Sequence, residues 1–405
     1  MAHVAIVGAG PAGGALGYLL ARRGIGVTLI ERQTDFAREF RGELLMPSGI
    51  EALSQMGLAA AADRVPHVAI RALEPYLLGR RLFRVELGDA AAGGNVPRWT
   101  SQPELLEMLV AEAARFPAFH FERGASVREL IHQDGRVSGV RCQTLNGERE
   151  ILADLVVGAD GRTSVTRKRS GIAARCDRVA FDVVWCKVPL PGFIASDPHA
   201  RGYLGHGHLL IAAPTPDDRL QLGWVIRKGT FGDLRRRGIP EWLDELANHV
   251  SPDLADHLRR HREDVSRPFL LDTVSDHVAT WSVPGLLLIG DAAHTMSPVG
   301  AQGLNIALRD AIVAANHLVP LLMDGAAPAA LDAAAGRIQA ERQPEVDAIQ
   351  RIQRVPPYVI LSRSWWSKLV LQVLPFVLRE DIARGRGGTV FRRIAFGVTD
   401  VQLRV

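Results

Sequence analysis

Short apolar runs alternate along the chain with longer stretches whose apolar residues recur at helical spacing, an order that predicts an α/β protein. Val4–Val7 and Val27–Ile30 are two such runs, and between them a helical pattern continues to Arg23 and stops at Gly24, where a C′ glycine belongs. Leu286-Leu287-Leu288-Ile289 is apolar throughout, as in a strand buried on both faces. It ends at Gly290-Asp291, and beyond a loop holding Pro298, Gly300 and Gly303 a helix is predicted from about Leu304 to Leu318. Leu105, Leu106, Leu109 and Val110 share one face of a helix expected from Leu105 to Arg115. Phe119–Glu122, Ser126–His132, Arg136–Thr144 and Glu148–Leu152 read as strands of a small antiparallel sheet, turned at Asp134-Gly135 and Asn146-Gly147.

Two stretches leave this rhythm. Ile70 to Pro97 breaks into short strand-like pieces around Gly79, Gly88 and Gly93-Gly94-Asn95. Residues 176 to about 275 hold strand-like Val179–Val188, Gly202–Gly205, His208–Ala213 and Leu220–Ile226, with helices over Pro240–Asn248 and Pro252–Arg260. Phe269–Thr273 then returns the chain towards the first domain. The expected division is discontinuous: residues 1–70, 98–175 and 276–345 form one domain, and 71–97 with 176–275 form a second, a mixed sheet. Residues 346–405 make a helical C-terminal segment. A helix runs on past Asp310 to Met323, and Leu331–Ile352 gives another, interrupted by Pro344. The tail carries Trp365-Trp366, Leu369–Leu371 and Val373–Leu378, apolar but broken by Pro375. It reads as a helix over a substrate entrance, with weak peripheral membrane contact as the other reading.

Composition narrows the class. With 405 residues, 47% hydrophobic and 23% charged, the chain has room for two or three domains of an ordinary globular protein. Net charge is +4, and apart from Lys168, Lys187, Lys228 and Lys368 all 48 basic residues are arginine. These arginines are dispersed and not interleaved with aromatics, which argues against nucleic acid. Cys142, Cys176 and Cys186 lack metal-type spacing, and no metal site is expected. No apolar run has bilayer-spanning length, and the N-terminus enters a strand with no signal-peptide pattern, so a cytoplasmic protein is expected.

The chemistry sits in three motifs. The first is Gly8-Ala9-Gly10-Pro11-Ala12-Gly13 between strand and helix, followed by a second strand ending at Glu31: the dinucleotide fingerprint in its required context. Gly8 permits the tight turn, Gly10 lets a pyrophosphate approach the backbone, and Gly13 lets helix and strand pack. Glu31 lies where the acid for the ribose hydroxyls belongs. This stretch alone does not choose between FAD and NAD. The second is Asp160-Gly161-Arg162-Thr163-Ser164-Val165-Thr166-Arg167, and the third is Gly290-Asp291-Ala292-Ala293-His294 with Pro298, Gly300, Gln302-Gly303 and Asn305. A helix opening at Gln302–Asn305 would aim free N–H groups at a ligand that becomes negative.

In this order and spacing the three motifs resemble those of the single-component FAD aromatic hydroxylases, the p-hydroxybenzoate hydroxylase family, over roughly residues 1 to 350. The resemblance implies a Rossmann-like FAD-binding domain interleaved with a substrate domain. It implies that NADPH or NADH reduces FAD and that O₂ then hydroxylates an aromatic or polyketide- or quinolone-type molecule through a flavin C4a-hydroperoxide. By the same resemblance FAD is held by Gly8, Gly10, Pro11, Ala12, Gly13, Glu31, Arg32, Arg41, Gln102, Asp160, Gly161, Gly290, Asp291, Pro298, Gly300, Gly303, Leu304 and Asn305. Arg41 and Pro298 are the candidates nearest the chemistry. Arg38 could replace Arg41, and Gln102 could follow a plain N-cap at Ser101. Thr166 stands where the family has an apolar residue, a departure its methyl group can cover. His294 is expected to pack or bond within its loop, and His206 and His208 to lie on a strand surface. An epoxidase, oxidase or reductase of the same fold, or a non-catalytic prenyl-protein escort-like protein, are the other readings. A halogenase is disfavoured, because no Trp-x-Trp-x-Ile-Pro stretch lies between the first two motifs. A monomer or a homodimer is compatible with the sequence.

Overall fold

The computed structural model describes residues 2–37, 43–87, 96–177, 181–205, 207–360 and 388–405. Expectations for Arg38, Arg41, the Gly93-Gly94-Asn95 turn, His206 and the Trp365-Trp366 tail fall outside these residues.

A six-stranded sheet carries the first motif. β1 (His3–Val7) pairs in parallel with Leu155–Gly158 on one side and with β2 (Gly26–Glu31) on the other. Leu286–Leu288 extends the sheet beyond Leu155–Gly158, and antiparallel Ser282–Val283 closes that edge. Val4, Ile6, Val27, Leu29, Leu155 and Leu287 are fully buried under α1 (Pro11–Arg22), helix Gln102–Ala113 and the long helix Gln302–Met323. On the other face Ala5, Val156, Leu286 and Leu288 meet the three-stranded sheet of Ser126–Gln133, Arg136–Thr144 and Gly147–Leu152, together with Val346 and Ile349 of helix Pro328–Ile360. Each such aliphatic side chain contributes about 1.5–3 kcal/mol of burial, which explains why these runs read as continuously apolar. Asp134 and Gly135 both adopt positive φ, as a type I′ hairpin requires.

Four expectations change. Phe119–Arg123 does not join the antiparallel sheet. It forms the far edge of the parallel one, Val27 opposite Phe119, because helix Gln102–Ala113 packs beside α1 and delivers the chain to the open side of β2. Pro344 does not interrupt the second C-terminal helix, which runs unbroken from Pro328 to Ile360. The burial of Arg342, Glu345, Val346 and Ile349 around the proline outweighs its missing N–H. Phe269–Leu271 is an edge strand of the second sheet, opposite Trp185–Val183, instead of a return to the first domain. Among the described residues one helix does have the length and hydropathy to cross a membrane, Val299–Met323, but 72% of its apolar window is buried inside the protein, which makes it a core helix.

The second sheet has eight strands in the order Phe269–Leu271, Phe181–Pro189, Arg219–Arg227, His208–Thr215, His199–Gly205, Ala72–Leu77 and Arg80–Arg81, with Val85–Glu86 also paired to Ala72–Leu77. It is antiparallel except where His199–Gly205 runs parallel to Ala72–Leu77. Even-numbered residues of its central strands, among them Val184, Cys186, Leu210, Leu222 and Trp224, pack under Trp242, Leu243, Leu246, Leu254 and Leu258 of the covering helices. Odd-numbered Trp185, Lys187, Leu209 and Ile211 point the other way and are only half-buried. At one end of that inner face, Val299 of the Pro298–Gly303 loop packs on Phe181, Val183 and Val225. Strand alternation thus places an open, partly apolar face over the third motif.

Candidate functional site

The glycine corner is built as the fingerprint demands, with one informative difference among its glycines. Gly8 has φ +101°, and a Cβ there would lie 2.4 Å from the Ala159 carbonyl oxygen. A Cβ at Gly13 would lie 2.0 Å from the Gly8 oxygen. These two are glycine for the protein's own packing. Gly10 is different, since a Cβ there would meet no protein atom within 4 Å. Its neighbour is the N-terminus of α1, which no side chain caps and which carries no first-turn acid. Open space in front of uncapped N–H groups suits a phosphate. Glu31 is buried beside it, accepting hydrogen bonds from the Ala9 N–H (3.0 Å) and the Gln33 N–H (3.1 Å). Arg32 is exposed.

The third motif meets the first directly. A Cβ on Gly290 would lie 3.1 Å from the Ala12 Cβ, so the Gly290–Ala292 turn sits against the start of α1. Asp291 is half-buried and receives the Arg162 Nε at 3.3 Å, and a Cβ on Gly303 would lie 3.8 Å from its Oδ1. Gly300 (φ +74°) and Ala301 (φ +51°) both take left-handed backbone, which turns the chain into helix Gln302–Met323 with no side-chain cap. A non-glycine residue held at that φ is strain of the kind stored at functional loops.

Several residues named from the sequence are positioning residues here. Asp160 uses both carboxylate oxygens on the Val165 and Thr166 N–H groups and the Ser164 and Thr166 hydroxyls, 2.6–3.0 Å away. The Thr166 departure is therefore explained by its hydroxyl, not by its methyl group. Gly161 (φ +77°) turns the chain in front of this cap. Asn305 accepts from the Met46 N–H at 2.8 Å and donates to the Leu44 and Ala301 carbonyls, clamping the strand Leu44–Leu45 to the helix start. Gln102 opens its helix after Ser101, half-buried and with no side-chain hydrogen bond among the described residues. Leu304 is buried, while Pro298 lies half-buried at the head of the loop. His294 reaches beyond its loop, its Nε2 2.7 Å from Asp310 Oδ2 on the helix Gln302–Met323, and its ring packs on Trp281. His208 stacks on His249, with ring centroids 3.8 Å apart.

Sequence reasoning missed the scaffold behind the loop. Asp310 is fully buried; desolvation pushes its carboxyl up, but His294 and Arg342 outweigh this and hold it at about 2. The same carboxylate accepts the Gly290 N–H at 3.0 Å, so this charge fixes the turn that presents Asp291. Arg342 continues to Glu345, which is also gripped by Arg309 and by the Val398 N–H of the C-terminal segment. Three glutamines hold the loop carbonyls: Gln350 takes Thr295, Gln353 takes Ser297 and Val299, and Gln302 takes Gly300 and Ile394. Arg167 joins the motifs, donating to the Ala292 and Arg162 carbonyls at 2.8 and 3.0 Å. Arg162 and Arg167 in the second motif and Gln302 in the third stood within sequence signals. Gln350 and Gln353 had none, because their partners lie more than fifty residues away. Among the described residues no cluster could hold a metal ion.

These features define a flavin-enzyme fold in which an uncapped phosphate corner, an acidic side chain and an uncapped helix start lie next to one another. The comparisons agree. Residues 1–351 match the FAD binding domain family. The chain is 34% identical to the 6-methylpretetramide 4-monooxygenase of Streptomyces rimosus over 99% of its own length and 93% of that protein's. The solved p-nitrophenol 4-monooxygenase PnpA from Pseudomonas putida shares the fold with a TM-score of 0.81, covering 99% of this chain and 100% of that one at 16% identity. PqsL of Pseudomonas aeruginosa, solved with 2-aminobenzoylacetate, gives 0.78 over 90% of this chain and 99% of its own at 23% identity. The chain belongs to the FAD-dependent aromatic hydroxylase family: it is an FAD-dependent monooxygenase with NAD(P)H as reductant.

Proposed function

We propose that this enzyme hydroxylates a polycyclic, polyketide-type aromatic, consuming O₂ and NADPH or NADH. The observation that carries this reading is the identity, over nearly the whole of both chains, with a monooxygenase named for 6-methylpretetramide. In this reading Gly8, Gly10, Pro11, Ala12 and Gly13 hold the FAD pyrophosphate, Glu31 and Arg32 flank its adenosine end, and Asp291 takes the ribityl hydroxyls. Pro298, Gly300, Gly303 and Leu304 line the ring end, where the uncapped helix start stabilises negative charge on the reduced flavin. Asp160, Gly161, Gly290 and Asn305 hold these segments in place. When bound, FAD supplies hydride acceptance and oxygen activation.

The chain's own contribution is binding, orientation and exclusion of water. Residues 71–97 and 176–275 form the substrate domain, whose inner face of Trp185, Leu209, Ile211 and Val225 covers the loop, and the rest of residues 1–345 forms the FAD domain. An apolar, water-poor wall favours transfer of oxygen to the substrate over loss of peroxide. The cytoplasmic location belongs to the same proposal.

The test is to supply the FAD-loaded enzyme with NADPH or NADH and a panel of polycyclic phenols, simple phenols and quinolones. The expected result is faster NAD(P)H oxidation with a polycyclic phenol and a product one oxygen atom heavier. Stimulation only by single-ring phenols, or a dehydrogenated product with no added oxygen, would overturn the reading.

A further inference from the structure

The inner face of the second sheet changes character along its length. Its first row is Val183 and Val225, in contact with Val299 of the loop. The next row is Trp185, which lies across Gly223 so closely that a Cβ there would be 2.4 Å from the indole ring. The third row pairs Lys187 with Gln221. Rows on one face of a strand are two residues apart, so the third lies about 13 Å beyond the first. That span suits three or four fused aromatic rings.

The third row is polar, and it is joined to the flavin side of the site. The Trp99 Nε1–H is shared between Gln221 Oε1 (3.0 Å) and Glu43 Oε2 (2.9 Å). Glu43 precedes Leu44, whose carbonyl is held by Asn305 at the helix start, and the Glu43 carbonyl accepts the Thr100 N–H at 2.7 Å. Lys187 donates to Asp217 at 2.9 Å. Desolvation raises the Glu43 carboxyl, with Lys187 and the Trp99 hydrogen bond opposing it. Gln221 is 3% exposed, so its amide is held rigidly. Glu43 Oε1 and Gln221 Nε2 take no part in this shared bond. The Trp99 N–H thus orients a carboxylate and an amide side by side at the third row of this face, each with a second polar atom outside the shared bond. A cavity of about 380 Å³ bounded by Pro66, His67, Pro214 and Thr215 lies past this row, away from Val299.

Resting on the reading of the enzyme as a polycyclic aromatic hydroxylase, we propose that Glu43 and Gln221 form a polar recognition point of its substrate slot, receiving a phenolic hydroxyl of the bound polycycle. Glu43 Oε1 accepts the hydroxyl hydrogen and Gln221 Nε2 donates to the hydroxyl oxygen, while Trp185 supports the rings between. Both are specificity residues that hold the substrate in register, and no bond to them forms or breaks in the reaction.

The test is binding, which does not require turnover. Holoenzyme is titrated with 1,8-dihydroxyanthraquinone and with unsubstituted anthraquinone, read by the change in flavin absorbance. Wild type should bind the dihydroxy compound about tenfold or more tightly, the worth of one or two hydrogen bonds to a charged or buried partner. Glu43→Gln and Gln221→Met should each reduce that preference severalfold, with FAD content equal to wild type as the check on folding. Equal binding of the two probes, no binding of either, or a preference that survives in both variants overturns the assignment. If hydroxylation of polycyclic phenols fails while the binding preference and its loss are observed, the slot stands and only the reaction assigned to it falls.

Discussion

Single residues carry the sharpest distinctions. Gly10 and Gly13 read identically in the fingerprint, yet the structure gives them different reasons. Gly10 has ordinary extended backbone (φ −70°, ψ −177°) and free space where its Cβ would go, so Gly10→Ala should leave the melting temperature of the apoprotein unchanged and weaken FAD binding tenfold or more. Gly13→Ala would press a Cβ 2.0 Å from the Gly8 oxygen and should lower the apoprotein's stability by about 1–3 kcal/mol. Thermal melts with parallel FAD titrations check both. Asp310 gives a pH signature. Its folded carboxyl is held at about 2, below the ~3.9 of an unfolded chain, so the stability it contributes is complete above about pH 4 and disappears as the pH falls through 2. Unfolding free energy from denaturant titrations should therefore fall as the pH is lowered from about 4 towards 2 in wild type, by on the order of 2 kcal/mol in all. Asp310→Asn should start lower and show a shallower acid slope. The motif glycines, Glu31 and Asp291 were legible because their chemistry is local. The part Asp310 plays was not, since its partners His294 and Arg342 come together only when two distant helices pack.

Elements were legible where one period dominated. The strand–helix–strand opening and the two hairpins of the small sheet follow directly from spacing and turn residues. Phe119–Arg123 was misplaced because an amphipathic strand next to a hairpin looks the same whether it joins an antiparallel or a parallel neighbour, and only the packing of helix Gln102–Ala113 on α1 decides. Pro344 misled for a related reason: the local cost of proline is visible in sequence, while the buried ion pairs of Arg342 and Glu345 that hold the helix through it are not. That same helix supports the loop through Gln353. Gln353→Leu removes the donor to two loop carbonyls and should cost about 1–3 kcal/mol in stability. With the loop less ordered, a larger share of NAD(P)H should end as hydrogen peroxide, measured by oxygen return on adding catalase. An unchanged peroxide share at lowered stability would confine Gln353 to folding.

At the scale of the whole molecule, the crossing of the chain between its two sheets is what makes the enzyme. The first sheet alone offers a dinucleotide site, and the second alone a sheet with one covered and one open face. Their apposition packs Val299, in the loop that leads into the helix start at Gln302, against the open face of the second sheet. The sequence separated strands of the first sheet, such as Leu155–Gly158 and Leu286–Leu288, from those of the second through the return of strand and glycine signals. The register that pairs Lys187 with Gln221 and brings Glu43 to them was not, since nothing in the sequence links residue 43 to strands nearly two hundred residues later. If this architecture transfers one atom of O₂ to an aromatic substrate, the transfer is read by turnover of FAD-loaded enzyme with NAD(P)H and the stimulating polycyclic phenol under isotopically labelled O₂, with mass spectrometry of the product. One labelled oxygen atom per product and one NAD(P)H consumed for each are expected. Product oxygen drawn from unlabelled water, or NAD(P)H consumed with all labelled oxygen recovered as peroxide, would contradict it.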